Sequence, residues 1–138
     1  MLSSGFAAAP SSFRVPAPRC QVSFSAAAAK AQISYATMDL TADGHPGLVV
    51  FQDQCDTSVG QTHWDVYPWT SSGFAAAPSS FGVPAPRCQV SFNAAAANAQ
   101  ISYATMTLTN SCTSSIVVFQ DHCDSSVGQT HWDVYDQQ

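Results

Sequence analysis

Glutamate is missing from this sequence altogether, and charge of either sign is scarce. Only 9% of the residues are Asp, Glu, Lys or Arg, against roughly 25% in an ordinary soluble domain. Without Glu, a general acid of the raised-pKa glutamate type is excluded. The basic side chains are Arg14, Arg19, Lys30 and Arg87, four in all and nowhere clustered. Neither a phosphate-tracking nucleic-acid surface nor a polybasic patch for anionic lipid can be built from them. No apolar run is long enough to span a bilayer. Residues 1–13 lack a basic start and a continuous apolar stretch, so a signal peptide is not expected there. The seven glycines are dispersed, and no Gly-rich loop leads into a helix to cradle phosphate. HExxH, CxxC and GxSxG are all absent, which removes the familiar zinc signatures and the nucleophile elbow.

What is present is repetition. Residues 52–67, QDQCDTSVGQTHWDVY, return as residues 120–135, QDHCDSSVGQTHWDVY, with changes only at Gln54/His122 and Thr57/Ser125. The likeness runs further: residues 3–67 align with residues 71–135 without a gap, and 52 of 65 positions are identical. Seven of the 13 differences are consecutive, at residues 42–48 and 110–116. Changes gathered in one polar, Gly/Pro-rich segment mark an exposed loop. We therefore expect two tandem modules, 3–67 and 71–135, joined by residues 68–70. With 46% apolar residues, the chain can bury a core.

Each copy opens on a proline-rich arm, with Pro10, Pro16 and Pro18 in the first and Pro78, Pro84 and Pro86 in the second. Prolines at this density forbid a helix and an interior strand, so the arms should run extended over a surface, anchored by Phe6 and Phe13 or by Phe74 and Phe81. Residues 19–24 alternate, with Cys20, Val22 and Phe24 on one face, as in a half-buried strand. An Ala-rich helix of two turns is expected next, capped by Ser25 in one copy and Asn93 in the other. Strands should follow at 33–40, 48–51 and 61–67, with a polar loop at 53–60. The predicted fold is mainly β: about four antiparallel strands and one short helix per module, packed as a pseudo-two-fold sandwich or an extended sheet.

Five cysteines bear on compartment. Cys20 and Cys55 recur at the same spacing as Cys88 and Cys123, while Cys112 faces Gly44 in the alignment. One disulfide per copy, Cys20 with Cys55 and Cys88 with Cys123, is the expected pattern, and with it a secreted protein. Cys112 would be a spare thiol or a route to an intermolecular bridge.

The candidate site lies in the repeated stretch. If residues 61–67 form a strand, Trp64 and Val66 point to the core, and Gln61, His63, Asp65 and Tyr67 form a polar row on the other face. Gln129, His131, Asp133 and Tyr135 repeat it, with Asp53 and Asp121 on the adjoining loops. Planar hydrogen-bonding groups beside an aromatic ring suit a sugar, and two weak sites gain avidity on a multivalent surface. The first expectation is a non-catalytic, lectin-like protein that needs no cofactor and binds a glycan or glycoprotein surface. A resident metal is not expected; the nearest approach is Ca²⁺ held by Asp53 and Asp56, or by Asp121 and Asp124, in loops that lack the EF-hand pattern. The alternative is a structural or self-associating protein, a homodimer or an extended β assembly, with Phe6 and Phe13 packing on a neighbouring chain.

Overall fold

The computed structural model describes residues 5–19, 23–86, 91–108 and 113–137. Among them the chain is mainly β, with nine strands in antiparallel sheets and two short helices. In chain order these are α1 (Phe24–Ala29), β1 (Ile33–Met38), β2 (Gly47–Asp53), β3 (His63–Tyr67), β4 (Trp69–Thr70), β5 (Gly73–Phe74), β6 (Ser79–Gly82), α2 (Phe92–Ala97), β7 (Ile101–Met106), β8 (Ser115–Asp121) and β9 (Asp133–Tyr135).

The helix starts earlier than expected. Ser23, not Ser25, caps α1, its hydroxyl accepting from the Ala26 N–H at 3.1 Å. Asn93, the expected cap of the other helix, lies inside α2. The cause is Phe24. As the first helical residue it shares a buried face with Ala27, three positions on, whereas a cap at Ser25 would leave it in a strand. The strand expected over 19–24 accordingly does not include Phe24, and Cys20, Gln21 and Val22 lie outside the described residues. Cys88 and Cys112 lie outside them too. Cys55 and Cys123 are in disulfide-bonded form; the pairing with Cys20 and Cys88 involves positions that are not described.

The sheets repeat the same registers. In the first, β1 pairs with β2 through Ile33↔Asp53 and Ser34↔Gln52, then slips by one residue so that Tyr35 faces Val50. Phe51 is the extra residue of this bulge. In the second sheet, β7 and β8 slip at the matching place, which makes Phe119 the bulged residue. β3 lies beside β2 through Leu48↔Tyr67 and Val50↔Asp65, and β9 beside β8 in the same way.

The two sheets nevertheless differ. The first has four strands, β1-β2-β3-β6, and the second three, β7-β8-β9. The extra strand, β6, comes from the arm of the second copy. It pairs with β3 through His63↔Gly82, Trp64↔Phe81, Asp65↔Ser80 and Val66↔Ser79. Pro78 and Pro84 bracket it, and it sits at the sheet edge, the position that proline-flanked segments tolerate. The arm expected to run extended over a surface thus pairs as a strand with the other copy.

The core has two parts. Phe24, Ala27, Ile33, Leu48, Val50, Val59, Tyr67 and Phe74 pack on one face of the first sheet. Its other face, Val49, Trp64 and Val66, packs with Val83 and with Phe92, Ala95, Ile101, Ile116, Val118 and Val127. The last six are the counterparts of Phe24, Ala27, Ile33, Leu48, Val50 and Val59. The outer face of the first copy therefore meets the inner core of the second. Unlike surfaces are joined, and the relation is a head-to-tail succession where a two-fold had been expected.

Tyr67 shows the cost of that burial. Its ring sits edge-on to Phe24 at 5.8 Å, and desolvation pushes its phenol above the ordinary tyrosine range, further than the nearby Arg19 pulls it down. A tyrosine whose pKa is raised on folding stabilises the fold fully below the unfolded value of about 10, and that stability is lost as pH rises through the folded value. Urea midpoints measured on either side of pH ~10 should fall with rising pH, and Tyr67→Phe should flatten the decline. An equal decline in the variant would assign the effect to other groups.

Candidate functional site

The loop after β2 is built from side chains that satisfy its own backbone. Asp53 Oδ1 accepts from the Cys55 N–H at 2.9 Å, and Asp56 Oδ1 accepts from both the N–H and the hydroxyl of Ser58, at 3.1 and 2.6 Å. The Ser58 hydroxyl bond, followed by the N–H, holds the Asp56 carboxyl below the usual range. The loop closes at Gly60, whose φ is +97° and whose N–H donates to the His63 carbonyl at 2.7 Å. Asp121, Asp124, Ser126 and Gly128 repeat the arrangement in the second copy.

Arg19 enters the centre of the first copy's loop. Its Nη1 lies 2.6 Å from Asp65 Oδ2 and 3.0 Å from Asp53 Oδ2, with Nη2 3.6 Å from Asp56. His63 Nε2 is 3.3 Å from the other oxygen of Asp65. Asp53 and Asp65 are buried, and Arg19 is about a third exposed. Burial works to lower the Arg19 pKa, but bonds to Asp65 and Asp53 outweigh it and hold the guanidinium above its ordinary value. In the first copy the carboxylates considered for Ca²⁺, Asp53 and Asp56, thus stand around an arginine. Among the described residues no group of three His, Cys or Asp side chains is arranged for a metal.

The expected polar row is not an exposed face in the first copy, although Asp65 and Tyr67 do share one side of β3. Gln61 is exposed and His63 partly so, whereas Asp65 and Tyr67 are buried, Tyr67 within the core. β3 is an interior strand with packed side chains on both faces, so alternation no longer separates core from water. In the second copy β9 is an edge strand, and the pattern inverts. Asp133 and Tyr135 are half-buried, while Trp132 and Val134 are exposed. Trp64 joins the core as expected; its counterpart Trp132 does not. Gln129 and Asp121 line a small cleft of about 360 Å³ with His122, and His131 is exposed beside them in sequence.

The site offers no nucleophile–base pair among these residues. The Ser58 hydroxyl is committed to Asp56, Cys55 is in disulfide form, and His63 Nδ1 faces the Thr62 hydroxyl at 3.0 Å. Arg19 is the residue that reading by alternation overlooked. A signal for it existed, since it precedes Cys20 and the expected partner Cys55 stands between Asp53 and Asp56.

Removing Arg19 should cost the fold about 2 kcal/mol, below the 3–5 typical of a broken buried pair because the guanidinium is partly solvated. Arg19→Gln should show this in chemical denaturation, and adding Asp65→Asn should recover much of it. No recovery would mean that Asp65 is not the group left stranded. Comparison with protein-family models, curated proteins and solved structures gives no match to this chain.

Proposed function

We propose that this chain is a non-catalytic structural protein of the extracellular space that self-associates, adding one β module to the next to build an extended assembly. The observation that carries the reading is the junction between the two copies. It joins the arm of one to a strand of the other, and an outer sheet face to an inner core. A contact between unlike surfaces can be repeated without closing on itself, unlike a two-fold contact, and stacked repeats gain stability through such interfaces. Disulfide-bonded Cys55 and Cys123 favour an oxidising compartment. Sedimentation velocity over a concentration series should show mass increasing with concentration. A strictly monomeric chain throughout would reject the proposal.

Carbohydrate binding keeps one specific support, in the second copy only. Exposed Trp132 and His131 stand beside Asp133, and an exposed indole offers the flat apolar face that a pyranose ring needs. This reading asks for a single site, because Asp65 and Tyr67 are buried in the first copy. A glycan array at high protein density tests it, with Trp132→Ala expected to abolish any signal. Silence across the array would reject it.

A further inference from the structure

The same side chains are buried at the junction inside the chain and exposed at its two ends. On the acceptor side, Trp64 and Val66 are 2% and 8% exposed under the second copy, whereas their counterparts Trp132 and Val134 are 51% and 40% exposed. On the donor side, Val83 of the second arm is 9% exposed in the cluster that holds Trp64 and Val66, while its counterpart Val15 in the first arm is 57% exposed. Trp132 and Val134 on the acceptor strand and Val15 on the donor arm are thus all exposed on one molecule. Exposed apolar residues gathered on an unpaired strand edge are the ordinary mark of strand addition.

The backbone is poised for it. The Val83 N–H donates to the Thr62 carbonyl at 3.1 Å, so alternation turns the backbone groups of Ser79, Phe81 and Val83 toward β3. In the first arm, the Arg14 N–H donates to the Ser72 carbonyl at 3.1 Å, and its own carbonyl accepts from the Phe74 N–H at 2.9 Å. Both groups of Arg14 thus face the β4–β5 turn, and those of Phe13 and Val15 face the opposite edge. These two are the counterparts of Phe81 and Val83. The Phe13 ring already leans on Phe74, edge-on at 5.0 Å, which holds the arm in place on its own molecule. On the acceptor, β9 ends its sheet among the described residues, and beside it opens a cleft of about 780 Å³, lined by Val134 and Tyr135 and by Phe81 and Val83.

We propose that a second copy of this chain docks head to tail on the first, its arm residues 11–14 adding as a fourth strand to β9 in the register that Ser79–Gly82 hold on β3. Ser11 then faces Val134, Ser12 faces Asp133, Phe13 faces Trp132 and Arg14 faces His131. The sheet becomes four-stranded like its neighbour, with Phe13 set beside Trp132 as Phe81 is set beside Trp64. The partner is another copy of the chain because its first arm matches, at all but one of the four paired positions, the arm that already occupies the equivalent strand; Arg14 replaces Gly82. The inference rests on the self-associating reading and specifies its contact. Since donor and acceptor are different surfaces, growth does not stop at a dimer.

Two exposed positions test it without touching the core. Val134→Lys places a charge on the acceptor strand, and Val15→Lys places one on the donor arm where Val83 is buried internally. Each variant should melt like the parent and associate about tenfold or more weakly in sedimentation velocity. An equimolar mixture should restore one contact, between the intact arm of the Val134→Lys chain and the intact β9 of the Val15→Lys chain. It should yield a 1:1 dimer that grows no further. A parent chain that never associates overturns both this inference and the structural reading. Association undiminished in the variants overturns the docking alone, and a mixture that forms no dimer overturns its head-to-tail geometry.

Discussion

Trp64→Ala is expected to destabilise the fold by about 3–5 kcal/mol, while Trp132→Ala, in an identical local sequence, should cost only about 1 kcal/mol. Both indoles stand edge-on to a phenylalanine at 4.8 Å, Trp64 to Phe51 and Trp132 to Phe119, so that contact cancels in the comparison. What differs is coverage. Trp64 lies in the cluster with Val49, Val66, Val83 and the core of the second copy, and its removal leaves a cavity that neighbouring elements cannot close. Trp132 loses little beyond its ring contact. Urea unfolding of the two variants at protein concentrations low enough to keep the chain monomeric gives the comparison. Equal losses would mean that the copies do not pack on each other in solution.

Gly60→Ala should cost about 3 kcal/mol, from two causes that another glycine separates. At φ +97° an alanine is strained wherever it stands, and here its Cβ would also collide with the carbonyl oxygen of Phe51, the bulged residue of β2. Gly44, at φ +85°, meets nothing around it, so Gly44→Ala carries the strain alone, about 1 kcal/mol. The difference between the two measures how tightly the loop closes on the bulge. Were Gly60→Ala no worse than Gly44→Ala, the loop would not be seated against β2. Gly128 repeats the approach to Phe119, so its alanine variant should resemble that of Gly60.

Much of this was legible from residues alone. The run at 48–51 showed no alternation, as befits a central strand, and Leu48, Val49 and Val50 are all buried in β2. The strands at 33–40 and 61–67 stand within two residues of their expected ends. The candidate site was legible only in part. Asp53, His63 and Asp65 do come together, but around Arg19, and Tyr67 leaves the polar row for the core. The row was inferred from alternation, which separates inside from outside only while one face of a strand meets water.

Composition, period and repetition are local or additive properties, and they sufficed for a β-rich chain of two like copies. Which copy of a given side chain is buried is not local. Phe74 and Phe6, Trp64 and Trp132, and Val66 and Val134 have the same neighbours in sequence and opposite exposures. Their fate depends on whether another copy stands against them, and the contact between copies joins unlike faces. It therefore covers one tryptophan and leaves the other in water.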